Sequence, residues 1–389
     1  MGRFKVALLP CLVLVLLFSA PAVRAQSPTP KIVGGSTTPI ETYPWQAAVV
    51  ISPVKAAGDA YERQYCGGSL ITPSIVLTAA HCLYDNDPDC DPGGGVDVCL
   101  PADPAGDGTK RVDPDDVDVV LGVSKLSTAV PEDEHPVQDV SYHPAFNVET
   151  FQNDVGYLVL STPVELTPAV QTIDLAGDDE AAVWAPDTLV DISGWGRTSE
   201  GGAAADDLQA ASVPIVADST CGAAIIYGDG FDPATMVCAG YMEGGVDTCN
   251  GDSGGPLESA LEGGGYRLVG ITSWGSGCAE PAAPGVYTRI AQAAPGGLRD
   301  DVVAKVAELE TTYSLTRENI VGSGGQPLVR PPDDPPPPPG TSEPIPVTPP
   351  QPAVPATRAP DRFAKCRMLK SKPKRKRCTR KVKRSLASR

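Results

Sequence analysis

Between Ile32 and Gln292 the chain is a succession of short β-rich runs broken by turn formers, and this spacing restricts its fold more than any other feature. The runs include Trp45–Ile51, Ile75–Thr78, Val117–Leu121, Tyr157–Leu160, Leu189–Ile192 and Leu268–Thr272. Clusters of Gly, Pro, Asp and Ser separate them, which is the pattern of a β-sandwich or barrel. One stretch has a different period. Leu298, Val302, Val306 and Leu309 recur at helical spacing just after Pro295-Gly296-Gly297, and predict one helix with a single apolar face. The body is therefore expected to be all-β with a terminal helix. With 41% apolar residues it can bury a sizeable core, which excludes global disorder.

The two ends are of another kind. Residues 1–25 read as a secretory signal: Arg3 and Lys5 precede an apolar run, Val6–Phe18, and small-residue sites follow at Ala20-Pro21-Ala22 and Val23-Arg24-Ala25. The run is short of the ~20 residues a spanning helix needs, so an exported protein is expected rather than an anchored one. Near Gly322 the composition breaks. Gly322–Gly325 looks like a hinge, and Pro327–Pro360 holds 15 of the 41 prolines. Residues 322–360 are accordingly expected to be an extended, disordered linker at ~3.1 Å per residue, a spacer rather than an SH3-type ligand. Residues 361–389 carry 14 Lys and Arg against one acid, whereas the other 360 residues carry 17 bases against 47 acids. That balance excludes a body that binds nucleic acid through a broad basic surface. The tail has three readings: attachment to an anionic surface or polymer, a solvated tail, or an intramolecular partner of the acidic body.

Two motifs carry chemistry, Thr78-Ala79-Ala80-His81-Cys82 and Gly251-Asp252-Ser253-Gly254-Gly255-Pro256. A serine hydroxyl is a weak nucleophile at neutral pH and needs a neighbouring base, for which an imidazole is suited. Over about Ile32–Leu309 the chain resembles the secreted serine proteases of the chymotrypsin family, trypsin-like in its pocket. The resemblance implies two six-stranded antiparallel β-barrels with a C-terminal helix, in a domain spanning residues 32–315. It implies Ser253 as nucleophile, His81 as base and Asp154, in Asn153-Asp154-Val155-Gly156, as the carboxylate that orients His81. Val155-Gly156 departs mildly from the family pattern. The oxyanion hole would be the N–H groups of Gly251 and Ser253. His135 and His143 lie in no motif and are read as structural or surface residues.

The resemblance also implies a specificity pocket with Asp247 at its base, Gly275 and Gly285 along its walls, and Ser273-Trp274-Gly275 as the strand that meets substrate backbone. A deep carboxylate favours Arg or Lys. Lys31-Ile32-Val33-Gly34-Gly35 matches an activation site: residues 26–31 would be a propeptide, and the freed Ile32 amine would pair with Asp252. Protein or peptide substrates, protein inhibitors and a monomeric state are the implied partners. The protein is expected to be extracellular, with cell-surface association through the tail as a further expectation. A rival from another class is a non-catalytic, protease-like binding protein, which intact His81, Asp154 and Ser253 argue against.

Eleven cysteines include Cys11 in the signal, leaving ten, an even number that suits disulfides in an exported chain. The resemblance implies Cys66–Cys82, Cys221–Cys238 and Cys249–Cys278. Cys90–Cys99 and Cys366–Cys378 are then the remaining pairs; zinc is disfavoured because no His accompanies either. Residues Asp85–Asp118 hold 11 aspartates and two bases. Asp85, Asp87, Asp89 and Asp91 alternate as in a calcium loop, but Cys90 and Val96 stand where an EF-hand needs Gly and Glu. A solvated acidic loop and a calcium site are both open. No cofactor is expected to be required, and no metal ligand is assigned.

Overall fold

The computed structural model describes residues 32–84, 111–291 and 298–328. Cys90, Cys99, Cys366, Cys378, Lys31, the calcium-like aspartates and the basic tail lie outside these residues.

Thirteen strands follow one another: β1 (Ser36–Thr37), β2 (Gln46–Ile51), β3 (Gln64–Thr72), β4 (Ile75–Thr78), β5 (Val117–Val120), β6 (Glu134–Tyr142), β7 (Gly156–Leu160), β8 (Leu189–Gly194), β9 (Gln209–Val216), β10 (Met236–Ala239), β11 (Pro256–Ala260), β12 (Tyr266–Trp274) and β13 (Gly285–Arg289). Strands β2-β3-β4-β7-β6-β5 close into one antiparallel barrel. Strands β9-β10-β13-β12-β11-β8 close into a second through the β8–β9 pairing, and β1 extends β9 at the edge. Closure leaves each barrel with few free strand edges and a largely apolar interior. In the first, Val49, Leu70, Ile75, Leu77, Val119, Leu158 and Leu160 have no exposed surface; in the second, Val190, Ile192, Val213 and Leu257 have none.

The predicted helix is Leu298–Thr312, and its four periodic residues Leu298, Val302, Val306 and Leu309 are all buried. They join the core cluster of the first barrel together with Leu175, Leu268 and Ile320. The helix therefore packs where the two barrels meet.

The chain does not leave the domain at residue 315. Residues 316–328 run back over the second barrel as a strap. Leu175 N–H donates to the Ile320 carbonyl (2.7 Å), Gly322 N–H to that of Leu175 (2.9 Å) and Leu328 N–H to that of Ala260 (2.8 Å). Gly325 N–H donates to the fully buried Glu180 (2.6 Å), which also accepts from Arg267 Nε (2.9 Å). Gly322 lies directly on that guanidinium: a Cβ there would stand 1.9 Å from Arg267 Nε. The segment expected to be a hinge is thus part of the folded body, and its glycines are needed for close approach. Ile320→Ala should cost ~2–4 kcal/mol, read as a lower thermal midpoint. An exposed hinge residue would change it by no more than ~0.5 kcal/mol.

Candidate active site

The site is assembled where the ends of strands from both barrels converge. His81 follows β4 in a single helical turn, Ala80–Cys82, whose position the Cys66–Cys82 disulfide fixes against β3. Asp154 immediately precedes the β7 region and has no exposed surface. Its Oδ2 is 2.8 Å from His81 Nδ1, and its Oδ1 accepts the His81 backbone N–H at 2.9 Å. From the second barrel, Ser273 Oγ donates to Oδ2 (2.5 Å) and Thr288 Oγ1 donates to the Asp154 carbonyl (2.7 Å). Two roles here were not visible in the sequence. Ser273 was expected only to face substrate, and Thr288 had no expected role, because both act through strands far away in the chain.

Ser253 lies in a turn between Gly251 (φ 97°) and Gly254 (φ 82°), left-handed positions that suit glycine. A Cβ on Gly254 would come 2.2 Å from Thr78 Oγ1 and 2.5 Å from the Gly67 carbonyl, so no side chain fits. The Ser253 carbonyl accepts from Gly67 N–H (2.7 Å). These contacts press the turn against the end of β4, three residues before His81. Within the turn, the N–H groups of Asp252, Gly254 and Gly255 donate to Cys249, Thr272 and Asp252 carbonyls, respectively. Among the described residues, the Gly251 and Ser253 N–H groups have no such acceptor.

Asp252 is fully buried against Gly194 and Gly196, where added Cβ atoms would stand 2.2 and 2.4 Å from its carboxyl group. Gly196 N–H and Cys249 N–H donate to its two oxygens (2.7 and 2.9 Å). Burial pushes its pKa up to about 7, with those two bonds opposing the rise. Ile32, also without exposed surface, enters the same barrel, and Val33 bridges to Asp247.

Asp247 is 4% exposed. Its oxygens accept from Thr248 N–H (2.9 Å) and Ala279 N–H (3.0 Å), yet burial raises its pKa to about 7. Gly285 stands beside it, where a Cβ would lie 2.8 Å from Oδ1, whereas a Cβ on Gly275 would meet only the Gly277 carbonyl at 3.5 Å. Cys249–Cys278 ties this wall to the Ser253 loop, and Cys221–Cys238 lies behind it. Trp274 packs edge-on to Tyr227 (4.8 Å), and Phe151 edge-on to His81 (5.6 Å).

Cys66, His81 and Cys82 are the one group of potential metal ligands that close together among the described residues, but the two sulfurs are bonded to each other and offer no thiolate. His143 is buried, with Nε2 3.3 Å from Asp301 of the helix, and His135 is half-buried; neither joins the site.

For His81, burial lowers the pKa and the charge and hydrogen bond of Asp154 raise it, with a net rise. Its protonated form thus contributes stability below the ordinary imidazole pKa, and this is lost as pH rises through the raised one. Asp154→Asn leaves burial to act without the carboxylate. An NMR titration should then place the His81 pKa below that of a free imidazole, at least one unit (~1.4 kcal/mol) under the parent value.

The trypsin family model matches residues 32–295. The chain is 39% identical over 259 residues to a trypsin of Saccharopolyspora erythraea, covering 67% of this chain and 93% of that one. It is 35% identical over 263 residues to serine protease 56 of Homo sapiens and 33% identical over 273 residues to coagulation factor XII of Cavia porcellus. Those matches span 37% and 39% of these longer relatives and 67% of this chain. No helix among the described residues is long and apolar enough to cross a membrane.

Proposed function

Because the chain belongs to the trypsin family of serine proteases, we propose that it is a secreted endopeptidase that cleaves protein or peptide substrates after Arg or Lys. The reading rests on the His81–Asp154 pair lying beside the Ser253 turn, with Asp247 buried behind it. Ser253 Oγ attacks the scissile carbonyl as His81 Nε2 takes its proton; Asp154 holds Nδ1 and balances the imidazolium. The Gly251 and Ser253 N–H groups receive the developing oxyanion, a contribution of ~3–4 kcal/mol for such donors. Collapse of the tetrahedral species expels the amine, protonated by His81, and leaves an acyl-Ser253 that water hydrolyses by the same proton path in reverse.

Asp247 gives the specificity. Without a guest cation its charge meets two N–H bonds and the Thr248 hydroxyl but no counter-ion among the described residues, so a guanidinium or ammonium side chain supplies what the pocket lacks. A fluorophosphonate should label the parent and not Ser253→Ala. In a peptide library, Asp247→Ser should lower kcat/KM for Arg and Lys substrates by ~1,000-fold or more while leaving labelling of Ser253 in place. Labelling without any cleavage of basic sites would refute the assigned specificity.

Activation follows the same logic. Cleavage after Lys31 frees the Ile32 amine, which becomes the counter-ion of Asp252 and sets the Ser253 turn. A paired amine titrates above its free value of ~8, so its contribution is present below that value and lost as pH rises through the raised one. Lys31→Gln should keep the chain uncut and its kcat/KM at least ~100-fold lower, as is typical of a misplaced catalytic group. Full activity in the uncut variant, checked by N-terminal sequencing, would overturn this scheme. The basic residues 361–389 are proposed to hold the enzyme to an anionic surface or polymer.

A further inference from the structure

A further buried carboxyl group sits beneath the site and takes no part in the chemistry above. Glu258, on β11 five residues after Ser253, has no exposed surface. It lies at the seam between the barrels. Trp45 Nε1, from the start of the first barrel, donates to its Oε2. Ser193 Oγ, on β8 of the second, is 3.1 Å from its Oε1. The same hydroxyl is only 2.6 Å from Gln46 Oε1. The Gln46 amide is oriented by its own Nε2, which donates to the Ala47 carbonyl (3.2 Å), so an oxygen, not a nitrogen, faces Ser193. A hydroxyl has one hydrogen. If it goes to the nearer Gln46 oxygen, the contact with Glu258 lacks a proton unless Glu258 brings one.

The neighbours demand the same answer. Glu258 is the cross-strand partner of Asp191 on β8, itself 2% exposed. Like charges directly opposite each other in a buried sheet repel strongly. Asp191 accepts from Ser212 Oγ at 2.6 Å. Among the described residues, Asp191 is the charged group that acts on Glu258; Trp45, Ser193 and Gln46 are neutral. Tyr43 packs edge-on to Trp45 (6.3 Å), and Tyr266 lies tilted against it (5.1 Å).

We propose that Glu258 is held as a neutral carboxylic acid that donates to Ser193 and accepts from Trp45, and that this proton completes the chain Trp45–Glu258–Ser193–Gln46, whose two outer bonds join the barrels under the catalytic turn. Burial and the Asp191 charge both push its pKa in the direction that retains the proton, and the Trp45 and Ser193 bonds oppose them without reversing it. Glu258 is a positioning residue. Ser193 precedes Gly194, which abuts the Asp252 carboxylate, and β11 begins three residues after Ser253. Loss of the proton places a second negative charge beside Asp191 and breaks the order Glu258 to Ser193 to Gln46.

The sign of the pH effect follows from proton counting. The unfolded chain releases this proton in the ordinary carboxylate range and the folded chain keeps it, so stability from Glu258 is present at low pH and declines as pH rises. Glutamine cannot ionise and offers the same donor and acceptor. The full chain carrying Ser253→Ala, which prevents self-cleavage, is compared with the same chain carrying Glu258→Gln. From about pH 5 to about pH 8 the thermal midpoint of the glutamine variant should gain on its parent by ~2 °C per pH unit. A gap that stays constant or narrows, or a glutamine variant less stable at about pH 8, overturns the proposal. Should the variant fail to fold, infrared spectroscopy of the parent decides: a protonated-carboxyl carbonyl band must persist above about pH 8, and its absence overturns the proposal. Neither measurement needs proteolytic activity, so both are independent of the function proposed above. In the active enzyme, Glu258→Gln should also shift the alkaline limb of kcat/KM to higher pH, which loss of packing alone would not do.

Discussion

Everything at the site depends on a carboxylate, Asp154, that has no contact with water and is held from both barrels. An ionised group without solvent is costly unless its oxygens find donors. Here the first barrel gives the His81 backbone N–H and Nδ1, and the second gives the Ser273 hydroxyl, while Thr288 holds the Asp154 main chain. The two barrels therefore cannot shift against each other without stripping donors from a buried charge. That requirement fixes the angle of the cleft and the ring orientation of His81 at once. The Cys66–Cys82 bond and the Gly254 contact with Thr78 then hold the remaining partner, the Ser253 turn, to the same frame.

The strands were readable because each barrel wall is lined by runs whose apolar character is local. Ile75–Thr78 is β4 residue for residue, and Leu298, Val302, Val306 and Leu309 are the buried face of the helix. The candidate site residues with a motif could be singled out for a different reason: His81, Asp247 and Ser253 sit in distinctive sequence surroundings shared with a family. What could not be read is whatever depends on two distant segments meeting. Ser273 and Thr288 are ordinary strand residues until β12 and β13 bring them to Asp154. Glu258 is one acid among 48 until folding sets it between Trp45 and Ser193. Gly322–Gly325 shows the opposite failure. Its composition is that of a linker, but small residues also permit close packing, and here Gly322 admits Arg267 beneath it and Gly325 offers its N–H to Glu180. Composition describes the unfolded preference; the strap is stabilised by tertiary contacts that composition does not contain.

The buried carboxyl groups of the second barrel and the seam meet the same electrostatic problem in three ways, and the difference is what gives each a use. Asp154 is surrounded by donors and an imidazole, which orient both of its oxygens. Asp247 and Asp252 each have two backbone N–H groups, enough to orient them but not to offset burial, and both are pushed up to about 7. A group left in that state has most to gain from an incoming cation, which under the proposed function is a basic substrate side chain at one and a newly made chain terminus at the other. The two also repel one another, since the charge of Asp247 helps to raise Asp252. Neutralising either one therefore eases ionisation of the other, and under the proposed function occupancy of the pocket and formation of the chain-end pair would favour each other. Glu258, facing Asp191 with no cation acting on it among the described residues, would take under our proposal the third outcome available to a buried acid, which is to keep its proton and act as a donor.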